Sequence, residues 1–164
     1  VPLFVKWPAR IPAGTVIDEP AAHIDVMPTL VAAAGAALPE GVVIDGKDLL
    51  PIAAGETNRI DRQDDALYLS SGFYKVVRAG DWKLQVNENQ DKSGLYDLST
   101  DPTEQTKLAE ARQDKLAELG ALIEAHWADA VPPLYEHSIE APICIDNTVA
   151  DMRCDRGDYI IWPN

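Results

Sequence analysis

Hydrophobic positions in the first part of the chain predict one buried strand followed by one amphipathic helix. The opening stretch VPLFVKW is apolar on both alternating faces, which is typical of a strand covered on both sides in an α/β sheet. In HIDVMPTLVAAAG the apolar residues recur every three or four positions and predict a helix with one apolar face. These apolar residues are Ile24, Met27, Leu30, Val31 and Ala34. We expect Asp25 to cap this helix, Pro28 to lie in its first turn and Gly35 to end it.

From residue 66 onward the pattern changes to short β-rich segments. The segments ALYLS, FYKVVRAGDWKLQV and GLYDLSTDP predict antiparallel strands, and the second contains a hairpin turn at Ala79, Gly80 and Asp81. The final apolar segment, YIIW, is expected to dock on the domain or to add an edge strand. This part of the chain therefore predicts a small antiparallel sheet.

A long amphipathic pattern follows these strands, from Asp101 to about residue 130. Its apolar face is formed by Leu116, Leu119, Ile123 and Trp127. Asp101, Pro102 and Glu104 have the order of an N-cap, a first-turn proline and a capping-box acid, and predict the start of the helix. A helix that follows such strands is expected to lie across one face of the sheet, in an α+β arrangement.

The polar run TNRIDRQDD is the best candidate for a boundary between two domains. It separates residues 1–60, which supply a strand, a helix and a linker typical of an α/β domain, from residues 66–164, which form the α+β subdomain. Each part has its own hydrophobic pattern, so we predict two units.

Composition and charge exclude several kinds of partner. The chain has 164 residues, 46% of them hydrophobic, and four Trp, which indicates a globular protein. Its formal net charge of −13 disfavours binding to nucleic acids and to anionic lipid surfaces. No apolar run approaches the roughly 20 residues that a membrane span needs, and the first residues lack a signal-peptide pattern.

Residues with reactive side chains are few and scattered. Cys144 and Cys154 could form a disulfide or remain two free thiols, and their spacing leaves both possibilities open. His126 is interpreted as a partly buried structural residue of the long helix and His137 as a surface loop residue. His23 stands where a strand leads into a helix, a position where clefts form in α/β sheets, so helix capping, packing and substrate contact all stay open.

No local motif indicates catalysis. The chain lacks the glycine-flanked serine of the nucleophile elbow and the glycine-rich loops that bind phosphates. Asp81, Asp97 and Asp101 lie in predicted turns, where short-range hydrogen bonds explain them better than metal binding does.

Five segments nevertheless resemble the C-terminal portion of type I sulfatases, the arylsulfatase-like branch of the alkaline phosphatase superfamily. Over roughly residues 1–130 they follow the order and approximate spacing of that family: VPLFVKWPARIPAG, HIDVMPTLVAAAG, IDGKDLLP, YKVVRAGDWKL and GLYDLSTDPTEQTKLAE. The resemblance implies an alkaline phosphatase-like fold, in which residues 1–60 end the catalytic α/β domain. It also implies an enzyme that hydrolyses sulfate monoesters with a formylglycine nucleophile beside a calcium ion.

The same resemblance implies that this chain lacks the catalytic machinery. The family's nucleophile motif is Cys or Ser, any residue, Pro, any residue, Arg, and neither Cys144 nor Cys154 is followed by that pattern. We therefore expect no catalytic or metal-binding residue here, a missing N-terminal catalytic part as the partner, and no activity of the chain alone. Only His23 is expected to contact substrate.

If the substrate is a sulfate ester, the acidic charge balance favours a small one over a large sulfated polysaccharide. The resemblance further implies a periplasmic or secreted location, which would favour a disulfide between Cys144 and Cys154. Two alternatives stay open. The intact protein could be a phosphonate or phosphodiester hydrolase of the same superfamily, or the chain could be a non-catalytic interaction module that binds a partner through the helix near residues 116–127.

Overall fold

The computed structural model describes residues 2–71, 74–87, 92–128, 130, 131, 134, 140–144 and 159–163. The chain forms two compact units, Val1–Asp65 and Ala66–Asn164. The assignment of these units to domains of a larger enzyme stays a prediction.

The first unit is built around two short helices. A 3-10 turn, His23–Asp25, leads directly into helix α1, Val26–Ala33, and helix α2 follows at Leu50–Ala53. Pro28 lies in the first turn of α1, as predicted, and is buried. Gly35 ends the helix, also as predicted, because its φ of 66° is in the left-handed region that favours glycine.

The opening stretch does not form the predicted strand. Residues 2–6 have no regular secondary structure, and Phe4 is 90% exposed. A strand needs neighbours for its backbone N–H and C=O groups, and no segment in the described part of the first unit pairs with it. Its apolar side chains therefore lie on the surface of this unit.

The second unit contains the predicted antiparallel sheet. Its strands are β1, Ala66–Ser71, β2, Tyr74–Ala79, β3, Trp82–Asn87, and β4, Lys92–Asp97, and they lie in the order β1-β2-β3-β4. The hairpin prediction is confirmed, because Ala79 pairs with Trp82 across a turn in which Gly80 has a φ of 54°.

Helix α3, Gln113–Trp127, packs against this sheet and forms the core of the unit. Val77, Leu84 and Leu95 are neighbours across three strands, and all three are fully buried. Leu119 and Ile123 of α3 are also buried in this core, while Leu116 and Trp127 pack at its edge. The apolar face predicted for the helix is therefore the face that meets the sheet.

The start of this helix was predicted wrongly. Residues 101–112 are not α-helical, and Glu104 has a φ of 59° that no α-helix allows. The backbone N–H of Leu108 instead donates to the carbonyl of Leu95 at 2.8 Å, which holds this segment against the edge strand β4. A tertiary hydrogen bond thus takes the place of the first helical turns.

The last described segments form a separate two-stranded antiparallel sheet of β5, Glu140–Cys144, and β6, Tyr159–Pro163. The apolar C-terminal segment pairs with β5 and does not extend the four-stranded sheet. His137 and Cys154 lie outside the described residues, and only the backbone of Cys144 is described. The disulfide between Cys144 and Cys154 stays a prediction.

Candidate functional site

A buried ion pair lies beneath the 3-10 turn that contains His23. The carboxylate of Asp25 faces the guanidinium of Arg62, with 3.0 Å from Nη1 to Oδ1 and 2.5 Å from Nη2 to Oδ2. Asp25 is completely inaccessible to solvent, and only 6% of the Arg62 side chain is exposed. Two parallel hydrogen bonds between opposite charges form the strongest pairing available to these side chains.

Two backbone amides complete the environment of the Asp25 carboxylate. The N–H of Ala22 donates to Oδ2 at 2.7 Å, and the N–H of Lys47 donates to Oδ1 at 2.8 Å. Asp25 stands at the N-cap position of α1, as predicted, but its carboxylate does not bond to the N–H groups of that helix. Its side chain instead turns back to the N–H of Ala22, the residue that precedes the 3-10 turn, and across to the loop at Lys47.

These contacts determine the ionisation of Asp25. Burial by itself raises the pKa of the carboxyl group, but the hydrogen bonds from Arg62, Ala22 and Lys47 and the positive charge of Arg62 outweigh it. The pKa of Asp25 consequently lies below the ordinary value of 3.8. The group is an anion at neutral pH and is suited to holding other groups in place, not to proton transfer.

Thr29 and Gly46 join the start of α1 to the loop that carries Lys47. The Thr29 hydroxyl donates to the carbonyl of Asp25 at 2.6 Å and accepts from the N–H of Leu49 at 2.9 Å. At Gly46, a Cβ atom would overlap the backbone carbonyl of Ile24, so only glycine fits there. The turn and the loop are therefore in close backbone contact.

His23 is the first residue of the 3-10 turn and is exposed. Its imidazole has no hydrogen bond or ion pair with any of the described residues. The structure therefore does not support capping by its side chain and leaves the ring accessible. Sequence reasoning singled out His23 but missed Arg62, which it placed in a polar linker.

An open depression of about 440 Å³ lies beside this site, between α1 and the loop that follows it. Its wall is mostly apolar, with a lysine and an aspartate at one side. The lining residues are Pro28, Val31, Ala32, Ala36, Leu38, Ile44, Gly46, Lys47 and Asp48.

Those of the other candidate residues that the structure describes are not brought together into a second site. Asp97 accepts hydrogen bonds from the N–H and hydroxyl of Ser99, and Asp101 accepts from the N–H of Thr106, which confirms local roles for both. His126 is exposed, not partly buried as predicted, and its ring stacks on Tyr68 with centroids 3.8 Å apart. Within the described ranges, no three acidic, histidine or cysteine side chains are grouped so that they could hold a metal ion.

Comparison with known proteins assigns the chain to a family. Residues 1–126 match the sequence profile of the family described as N-sulphoglucosamine sulphohydrolase, C-terminal. The chain belongs to the sulfatase family. This match covers the whole first unit, including Asp25, Arg62 and His23, together with the sheet and nearly all of α3.

Individual sulfatases are similar over the same region. Human steryl-sulfatase is 30% identical in an alignment 149 residues long that covers 73% of this chain and 26% of the human protein. Human arylsulfatase A is 35% identical in an alignment 133 residues long that covers 65% of this chain and 25% of the human protein. The chain thus spans about a quarter of the length of these relatives.

Solved structures agree on the fold. The crystal structure of Ps i-CgsB aligns with a TM-score of 0.66 and 26% identity, covering 80% of this chain and 29% of that one. BT4656, solved in complex with D-glucosamine-2-N,6-O-disulfate, aligns with a TM-score of 0.61 at 24% identity and supports the fold alone. The small α+β unit, with its four-stranded sheet and packed helix, is therefore part of the sulfatase architecture. No helix in the described part of the chain has the length and apolar character of a membrane span.

Proposed function

We propose that this chain is the C-terminal part of a sulfatase that hydrolyses sulfate monoesters, and that a preceding part of the same protein carries the formylglycine nucleophile. The observation that carries the proposal is the match of residues 1–126 to a family described as the C-terminal region of a sulphohydrolase. The similarity to about a quarter of human steryl-sulfatase supports it. On this proposal the chain by itself does not hydrolyse sulfate esters.

The exposed apolar residues of the first unit also support the proposal that a preceding part of the same protein packs against this chain. Leu3, Phe4 and Val5 are exposed, and so are Met27 and Leu30 of α1. A soluble protein rarely leaves so many large apolar side chains uncovered unless another surface packs on them. We therefore propose that residues 1–60 complete the catalytic α/β domain of an alkaline phosphatase-like fold, and that the preceding part covers these side chains.

Calcium in this proposal belongs to the preceding part of the enzyme. The described residues do not fit a calcium site, because no three of their acidic or histidine side chains are grouped for one. The contribution proposed for this chain is the exposed imidazole of His23, which would donate a hydrogen bond to the sulfate group of the substrate. The net charge of −13 favours a small sulfate ester over a sulfated polysaccharide, and we propose an exported enzyme.

The test compares this chain with the longer protein that contains it, using an aryl sulfate in buffer with calcium. We expect turnover by the longer protein and none by the chain. Turnover by the chain would contradict the placement of the nucleophile. Parallel assays with an aryl phosphonate and a phosphodiester test the reaction type, and a longer protein that cleaves these but no sulfate ester would refute the sulfatase proposal.

A further inference from the structure

We propose that Asp25, acting together with Arg62, is a positioning residue that fixes the backbone of His23 so that the imidazole meets the sulfate group of the substrate. This inference rests on the proposed function, and it adds a pair of buried residues whose effect on the reaction passes through His23.

Two opposing hydrogen bonds close the backbone around His23. The N–H of Ala22 donates to Oδ2 of Asp25 at 2.7 Å, and the N–H of Asp25 donates to the carbonyl of Ala22 at 3.0 Å. His23 and Ile24 are the two residues inside this ring. The backbone of His23 is therefore held at both ends by the same carboxylate-bearing residue.

The carboxylate that closes the ring is itself held in place. Arg62 binds both of its oxygens, and the N–H of Lys47 binds Oδ1. With both oxygens engaged from three directions, rotation of the Asp25 side chain would break several charge-assisted hydrogen bonds at once. Arg62 thus holds the carboxylate, and through it the turn, in place with its two Nη groups.

The residue after His23 is fixed as well. Gly46 lies directly against the carbonyl of Ile24, and the Thr29 hydroxyl binds the carbonyl of Asp25 at 2.6 Å. In contrast, the His23 ring is exposed and makes no hydrogen bond with any described residue. A rigid backbone that carries an accessible ring is the arrangement expected of a side chain positioned in advance for a ligand.

The experiment measures kcat and KM for an aryl sulfate with the longer protein that contains this chain. We expect His23→Ala to raise KM about tenfold with kcat changed less than twofold, as the loss of one charge-assisted hydrogen bond predicts. Asp25→Asn should raise KM in the same direction. The double variant should be no worse than His23→Ala alone, because Asp25 acts through the histidine.

Controls separate positioning from general loss of structure. Asp114→Asn breaks an exposed ion pair with Arg112 in the second unit and should leave both constants unchanged. Thr29→Val loosens the same turn without removing a buried charge, and takes the place of Asp25→Asn if that variant does not fold. Thr29→Val should raise KM in the protein that retains His23, and should have no further effect on KM when it is combined with His23→Ala.

Three results would overturn the inference in distinguishable ways. If wild-type protein shows no sulfate turnover, the proposed function fails and this inference with it. If wild-type protein is active but His23→Ala keeps its KM, the sulfatase assignment stands and the role of His23 is refuted. If the effects of Asp25→Asn and His23→Ala on KM add, or if Asp25→Asn lowers only the active fraction, Asp25 has a structural role alone.

Discussion

Asp25 and Arg62 are 37 positions apart in the sequence, yet their side chains form a doubly hydrogen-bonded ion pair inside the first unit. The pair joins three segments: the turn before α1, the loop at Lys47 and the chain just before β1. A buried ion pair adds little net stability compared with apolar residues of the same size, because both charges lose their hydration. Removing one partner alone is much more costly, since the other charge then stays buried without compensation.

Asp25→Ala should therefore destabilise the first unit by about 3–5 kcal/mol. The cost arises from the uncompensated Arg62 charge and from the two amides, of Ala22 and Lys47, that lose their acceptor. Amide hydrogen exchange in α1 measures this free energy for the first unit separately. Asp114→Ala is the matched control, because it removes an exposed carboxylate from an arginine pair and should change stability little. Equal effects of the two substitutions would contradict the role of the buried pair.

The pH dependence of stability should show the lowered pKa of Asp25. Because the folded-state pKa lies below the ordinary value of 3.8, the unfolded chain takes up the proton first as the pH falls. The stabilising contribution is thus fully present above about pH 5, and it is lost as the pH drops through the ordinary value toward the folded one. Urea unfolding monitored at pH 6 and pH 3 should show a larger loss for the wild-type chain than for Asp25→Asn. If the wild-type chain and Asp25→Asn lost the same free energy of unfolding between pH 6 and pH 3, Asp25 would not be responsible for the pH dependence.

Gly46→Ala should destabilise the first unit and loosen the turn at His23. The added methyl group would overlap the backbone carbonyl of Ile24, and a backbone atom cannot move aside as a flexible side chain can. Gly120→Ala is the control, since the new methyl group meets nothing within 4 Å and lies on helix α3. That variant should gain about 0.5–1 kcal/mol from helix propensity. Thermal unfolding of both variants, followed by circular dichroism, should give shifts of opposite sign.

Leu84→Ala should destabilise the second unit by about 2–5 kcal/mol, because the leucine is fully buried between neighbouring strands and α3. Leu69→Ala changes a leucine of the same sheet that is 52% exposed, and should cost much less. Urea denaturation gives both values. If Leu69→Ala lowered the free energy of unfolding as much as Leu84→Ala, the result would contradict the assignment of the core to the face of the sheet that carries Leu84.

Limited proteolysis should cut the isolated chain first within residues 1–65. The opening segment of the first unit has exposed apolar residues and no regular secondary structure, whereas the second unit has a packed core. Mass spectrometry of a thermolysin digest should find an early, persistent fragment that contains the sheet and α3. Uniform resistance of the whole chain would favour the alternative of a free-standing interaction module.

Local sequence patterns determined those parts of the fold that local physics controls. The turn at Gly80 and the alternating residues of β2 and β3 predicted the hairpin, and the spacing of Leu119 and Ile123 predicted the buried face of α3. Each of these features depends on backbone geometry and side-chain period within a few residues. The order of five weakly specific segments was also sufficient to indicate the sulfatase family.

Tertiary structure alone decided the rest. The capping pattern from Asp101 to Glu104 predicted a helix, but a hydrogen bond from Leu108 to Leu95 in a strand holds that segment outside it. Asp25 has the sequence position of a helix cap, and only the folded chain brings Arg62 and the Lys47 amide to its carboxylate. No local pattern encodes these contacts, because their partners are distant in sequence and meet only when the intervening chain has folded. The sequence therefore determined the hairpin, the buried face of α3 and the family, and the tertiary structure decided which polar groups lie together beneath His23.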